Sequence, residues 1–123
     1  MRYTWLDEVL LSMAGVTKDF KEEWQWTRYL IGGKMYAAIC KDATGERDIV
    51  TLKLEPLEGD FLRKQFQDII PGYYMNKEHW NSVYLDGNVP DDLLKELIDK
   101  SYHLVLNGLS KKVQGEIIGG LDK

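Results

Sequence analysis

The chain has 123 residues, 44% hydrophobic and 29% charged, the composition of a folded globular protein rather than a disordered one. Its 16 basic and 20 acidic residues leave a net charge of −4, and no segment is basic, which excludes the broad cationic stripe of a tight non-specific nucleic-acid binder. No apolar run approaches the ~20 residues of a membrane span, and a single cysteine, Cys40, excludes an internal disulfide and a cysteine-cluster metal site.

Asp7 and Glu8 interrupt the first apolar pattern, unlike a secretory signal, so a reducing cytoplasm with no membrane is the expected setting. Thr4 reads as an N-cap with Asp7 three positions on, followed by Trp5, Leu6, Val9, Leu10 and Met13 at helical spacing and Gly15 as a stop. Residues 24–31 alternate and are rich in aromatic and β-branched types, as in a strand. Gly32-Gly33 supplies a tight hairpin turn into a strand from Lys34 to Lys41. Strict alternation puts Met35, Ala37 and Ile39 on one face of that strand and Tyr36, Ala38 and Cys40 on the other. A turn at 42–46 leads to a third strand, Asp48 to Leu54, completing an antiparallel meander.

Pro56 breaks the sheet, and Phe61, Leu62, Phe66 and Ile69 mark a helix over about 57–68, ended by Pro71. Tyr73-Tyr74-Met75 and Ser82 to Asp86 read as short strands around a polar loop. Pro90 suits the first position of a long helix, with Asp91 and Asp92 at its positive end. Leu93, Leu94, Leu97, Ile98, Ser101, Tyr102 and Val105 form its buried stripe, and Asn107-Gly108 its C-cap. Ser110 caps a last short helix, with Gly119-Gly120 fraying its end. The order of elements indicates one α+β domain over 1–123, a single antiparallel sheet packed against N- and C-terminal helices.

The run Met-Asn-Lys-x-His-Trp-x-x-Val-x-Leu-Asp-Gly at 75–87, followed by Ser101-Tyr102-x-Leu104-Val105, resembles the signature of the MmcQ/YjbR family of small bacterial proteins. Gly32-Gly33-Lys34-Met35-Tyr36 resembles the family's Gly-Lys-Met-Phe element, with Tyr36 in place of Phe, and Thr51-Leu52-Lys53 its Ser-Leu-Lys strand. Tyr73-Tyr74 stands where a basic or His residue often appears. The resemblance covers nearly the whole chain. It implies a CyaY-like (frataxin-like) α-β-α sandwich and a DNA-binding role through hairpin wings.

The loop Asn76-Lys77-Glu78-His79-Trp80 gathers a cation, an imidazole, an amide and an indole, which together would hold an anion or stack on a base. A local reading competes: Asn76 caps a helical turn, Trp80 seals the core edge and His79 bonds backbone. Lys34, Arg47 and Lys53 on the hairpins, and the pair Lys111-Lys112 opening the last helix, would supply the basic part of a wing. Each also serves as an ordinary solvent-facing charge.

Asp91, Asp92, Glu96 and Asp99 invite an iron-binding reading, but helix-dipole and i,i+4 pairing account for them. His79 and His103 lack metal-ligand spacing, Cys40 falls on a strand as a buried, inert thiol, and there is no phosphate loop or nucleophile elbow. The expectation is a non-enzymatic monomeric module without cofactor or metal, binding DNA weakly and in a salt-sensitive way. The alternative is a protein-interaction or chaperone-like adaptor, its seven Tyr and four Trp furnishing an aromatic surface.

Overall fold

A computed structural model describes residues 2–72 and 75–119. Its elements run α1 (Leu6–Ser12), β1 (Val16–Lys21), β2 (Trp26–Ile31), β3 (Lys34–Lys41), β4 (Asp48–Lys53), α2 (Pro56–Gln65), β5 (Ile69–Pro71), β6 (Trp80–Tyr84), α3 (Asp91–Asn107) and α4 (Lys111–Gly119). Among the described residues the six strands form one antiparallel sheet in the order β1-β2-β3-β4-β6-β5. This is the expected α+β class. No helix among the described residues is long and apolar enough to cross a membrane.

Several local expectations are corrected. Thr4 is not a cap: Trp5 holds the N-cap position of α1 without a side-chain bond. Asp7 is drawn away from the helix end, accepting from Lys18 Nζ and the Tyr29 hydroxyl, each at 2.7 Å. Those bonds, the lysine's first, hold its carboxyl below the usual range. Strand β1 has no counterpart in the expected order, because Lys18, Asp19 and Lys21 hide its alternation; charge of this kind suits an edge strand. Trp24 and Gln25 belong to the β1–β2 turn instead of β2, with Gln25 at φ +58°.

Helix α2 ends at Gln65, and Phe66 to Asp68 lead into β5. Strand β6 starts at Trp80, inside the expected loop, and ends at Tyr84. Pro90 caps α3 from outside its first turn. Gly108 closes α3 in the right-handed region, at φ −82°. Met75 is in no strand, and Tyr73, Tyr74 and Gly120 lie outside the described residues. Gly32 and Gly33 do take the positive φ of the expected hairpin turn, +56° and +79°, and Ser110 Oγ does accept from Val113 N at 3.2 Å.

The alternation of β3 is broken by a bulge. Tyr29 pairs with Ala37 and Leu30 with Met35, so Tyr36 has no partner on β2. Tyr36, Ala37 and Ile39 therefore face the helices, while Met35 and Cys40 face the other way. The β3–β4 ladder ends at Ala37–Leu52, just short of Tyr36 O and Lys53 N, and α3 supplies their partner. Ser101, fully buried, donates from Oγ to Tyr36 O at 2.6 Å and accepts from Lys53 N at 2.8 Å.

The helical layer covers one face of the sheet. Leu6 and Leu10 of α1, Leu62 of α2 and Leu94, Leu97 and Ile98 of α3 pack on Tyr29, Val50, Leu52 and Val83. Tyrosine hydroxyls tie the layers: Tyr3 donates to Val89 O and Tyr102 to Ala14 O, both at 2.7 Å, and Tyr36 donates to Leu10 O. Tyr36 and Tyr102 meet edge to face at 5.6 Å.

Removing the Ser101 hydroxyl orphans a buried N–H and a buried C=O at once. Ser101→Ala is expected to lower unfolding free energy by at least about 2 kcal/mol, read from urea denaturation. A change of a few tenths would remove the serine from this role.

Candidate functional site

The face of the sheet away from the helices carries the other half of each alternation. Arg28, Ala38, Thr51, Ser82 and Ile70 form a row across five strands. Thr51 and Ser82 share a hydrogen bond at 2.8 Å, and Ala38, Thr51 and Ser82 are buried on the face away from the helices of the described residues. Beside this row opens a cleft of about 760 Å³. It is lined by Trp24, Trp26, Arg28, Met35, Cys40 and Met75 together with the turn at 42–45.

Each wall follows from local sequence. Trp24 and Trp26 flank the left-handed Gln25, which brings their rings to 5.5 Å at 64°, an edge-to-face corner. Arg28 is clamped by Asp19 of β1 in a two-pronged pair at 2.8 and 2.5 Å. The 42–45 turn is held from within. Asp42 Oδ1 accepts from Thr44 Oγ1 at 2.6 Å, Thr44 N at 3.2 Å and Arg47 N at 3.3 Å. Those bonds, Thr44's foremost, hold the Asp42 carboxyl below its usual range. Beyond the turn lies a smaller hollow of about 310 Å³, lined by Ile49, Ile70, Pro71, Lys77 and Tyr84.

The residues singled out from sequence fall in separate places. Asn76 Oδ1 accepts from Glu78 N at 2.9 Å, and its carbonyl accepts from Trp80 N at 2.9 Å, so it does cap a single turn. The His79 carbonyl accepts from Leu54 N at 2.7 Å, and half-buried Trp80 pairs with Lys53 on the open face. Lys77 borders the smaller hollow.

Arg47 sits at the opposite end of β4 from Lys53, flat over the Tyr84 ring at 3.5 Å. Its Nη2 lies 2.6 Å from Asp86 and 3.9 Å from Asp68, so its charge is already matched. Exposed Lys34 follows the β2–β3 turn, and Lys111 and Lys112 open α4 near that turn. A Cβ on Gly32 would stand 2.8 Å from Leu109 and 3.2 Å from Val113. The wing candidates thus divide into Lys34 with the Lys111-Lys112 pair, Lys53 with the loop, and Arg47 in an ion-pair cluster. In the acidic run, Glu96 pairs with Lys100 at 3.7 Å, Asp91 with Arg2 at 3.8 Å and Asp99 with His103 at 3.5 Å. Among the described residues no three His, Cys, Asp or Glu side chains cluster as a metal site.

Sequence reasoning missed the cleft. Trp24 and Trp26, two large aromatics flanking Gln25 at the mouth of a turn, were a usable signal, although the strand expected over 24–31 begins only at Trp26. The approach of Met75, distant in sequence, had no local signature. Much of the aromatic surplus serves the interior, since Tyr3, Tyr29, Tyr36 and Tyr102 are buried.

Among the described residues, a six-stranded antiparallel sheet with helices on one face and a cleft on the other defines a small α+β fold. The family model YjbR matches residues 11–104, and the chain belongs to that family. Among curated relatives, the uncharacterised YjbR protein of Escherichia coli is 30% identical over 102 residues, 83% of this chain and 85% of that protein. The uncharacterised YyaQ of Bacillus subtilis is 44% identical over 63 residues, 51% of this chain and 52% of that protein. A crystal structure of Deinococcus radiodurans protein DR2400, from domain family DUF419, superposes with a TM-score of 0.80 at 35% identity, covering 91% of this chain and 84% of that one. A Pseudomonas syringae protein superposes with a TM-score of 0.72 at 26% identity, covering 85% and 97%.

Cys40 is the one thiol in the cleft wall. Burial first, then Asp48 and Asp42, pushes it up to about 11. A raised value keeps the thiol protonated at neutral pH, so its thiolate at pH 8 is about a hundred-fold scarcer than in an unfolded chain. Iodoacetamide should label the native protein at least about a hundred-fold more slowly than the urea-unfolded one, the gap closing as pH rises toward 11. Equal rates at pH 8 would mean that the thiol is open and reactive.

Proposed function

We propose that this chain is a non-catalytic binding module whose working surface is the open-face cleft, and that the cleft receives a segment of a partner protein. The observation that carries this reading is the Trp24–Trp26 corner beside Met35 and Met75 in a preformed hollow of about 760 Å³. Tryptophan and methionine are favoured at the centres of protein interfaces, tryptophan as a rigid anchor and methionine as an adaptable filler. A catalytic use has little support, because neither His79 nor His103 borders the cleft and its thiol is held protonated.

DNA binding is the second reading. It is favoured by the packing of α4 against the β2–β3 turn, which puts Lys34 and the Lys111-Lys112 pair at one end of the molecule. Arg47 adds little to it, since Asp86 and Asp68 already occupy its guanidinium. Three exposed lysines would neutralise few phosphates, so any such affinity would be weak and salt-sensitive.

The two readings separate in one experiment. The immobilised chain is used to capture partners from nuclease-treated lysate, alongside a Trp24→Ala/Trp26→Ala variant and a Lys34→Ala/Lys111→Ala/Lys112→Ala variant. Capture should survive nuclease and the lysine changes, and fall by about 30-fold in the tryptophan variant, the cost of losing an interface anchor. Capture abolished by nuclease and by the lysine changes, with the tryptophan variant unaffected, would instead support DNA.

A further inference from the structure

The charges around the cleft are unevenly matched, and this bears on what enters it. Each basic residue at the cleft is engaged from within the chain. Arg28 is held by Asp19, and Lys41 lies 2.9 Å from Asp48. Lys21 sits over the Trp24 ring at 6.0 Å from its centre. The acidic lining residue Asp42 is bonded within its turn, but three glutamates adjoining the lining in sequence are not so engaged. Glu22 and Glu23 stand beside Trp24 in the β1–β2 turn, and Glu46 follows the 42–45 turn. All three are exposed, and among the described residues no ion pair involves them. An electron-rich aromatic corner with unmatched carboxylates at its mouth attracts a cation and repels an anion. Lys21 is an internal instance of that attraction, held at the outer limit of cation–π range and so easily displaced.

Resting on the cleft reading above, we infer that the partner segment is an extended basic peptide. It lays a lysine or arginine side chain against the outer face of the Trp24–Trp26 corner, whose rings already touch each other edge to face. The apolar stem of that side chain lies along Met35 and Met75, and its charged head turns to the glutamates of the rim. This mode matches the two materials of the cleft: long basic side chains bury an apolar stem while keeping the head beside water or carboxylate. A wholly apolar segment would gain less here, since the rim charges would lie unanswered. The Lys21 ammonium is then a resident competitor, displaced when the ligand cation arrives.

The test titrates the full chain, followed by tryptophan emission, with a capped hexapeptide alternating leucine and lysine and with its leucine–glutamate counterpart. The lysine peptide should bind about ten-fold more tightly than the glutamate one. Its affinity should drop several-fold in E22Q/E23Q/E46Q and at raised salt, and rise in K21A, where the competitor is gone. Equal binding of both peptides, still lost in Trp24→Ala/Trp26→Ala, would overturn the preference for a cation while leaving the protein-binding cleft standing. Emission changes with tetramethylammonium but not with the lysine peptide would overturn the peptide assignment in favour of a free organic ammonium. Silence with every probe would overturn the inference, and the lysate capture would then judge the cleft reading by itself.

Discussion

The Ser101 hydroxyl, set between β3 and β4, is the contact on which both faces of this molecule depend. It accepts from Lys53 of β4 and donates to Tyr36 of β3 just beyond the last β3–β4 pair, at the residue that bulges away from β2. Without such a partner these buried backbone groups would lie unpaired, a cost that a small domain carries poorly. With it, Tyr36 turns into the helical layer, meets Tyr102 edge to face and reaches the end of α1 through Leu10 O. The same shift of phase sends Met35 to the opposite face, where it becomes part of the cleft wall. The hydroxyl on α3 thus fastens that helix to the sheet at the bulged residue, and the bulge itself sets which side chains reach the far surface.

That far surface is kept open by short-range devices. The 42–45 turn is locked by the bonds to the Asp42 carboxylate and by Gly45 N donating to Asp42 O at 2.9 Å, with Gly45 at φ +77°. The β1–β2 turn places Gln25 in the left-handed region, a conformation uncommon for a residue with a side chain. Its Nε2 donates to Glu22 O at 2.9 Å, closing the turn on itself. Strain and local locking at the two rims, over a sheet whose other face is fully packed, give a hollow that exists before any ligand arrives. Preformed apolar hollows with few polar groups are where binding is cheapest in conformational entropy.

Legibility in the sequence followed the range of the interaction that decides each feature. Elements set by local pattern were readable: the Gly32-Gly33 turn, the Lys34–Lys41 and Asp48–Lys53 strands, α3 with its buried stripe and the Ser110 cap. The faces of β4 were also readable, with Val50, Leu52 and Leu54 in the core and Ile49, Thr51 and Lys53 away from it. Features set by long-range partners were not. Strand β1 is a strand because β2 pairs with it, despite three charges in six residues. Asp7 left its capping role because Lys18 and Tyr29 reach it from the sheet. The bulge in β3 has no mark in the strand itself, since its partner is Ser101, 65 positions away from Tyr36.

The block that identified the family turns out to consist of joints. Asn81 accepts from Arg63 of α2 and donates to the His79 carbonyl at 3.3 Å. Gly87 leaves room for the Asp68 side chain, which a Cβ would approach to 2.4 Å, and Asp68 Oδ2 in turn accepts from Asn88 N at 2.9 Å. Asp86 holds Arg47 against Tyr84. Ser101 and Tyr102 fasten α3 to the sheet and to Ala14. These residues fix how the layers meet, so a pattern built from them reports the fold and is silent on the ligand. Of the cleft wall, only Met75, which opens the block, and Met35 of the hairpin element fall within the family pattern, whereas the Trp24–Trp26 corner lies outside it, at the β1–β2 turn and the start of β2. A signature strong enough to assign the family is, for that physical reason, a poor guide to what the family's members bind.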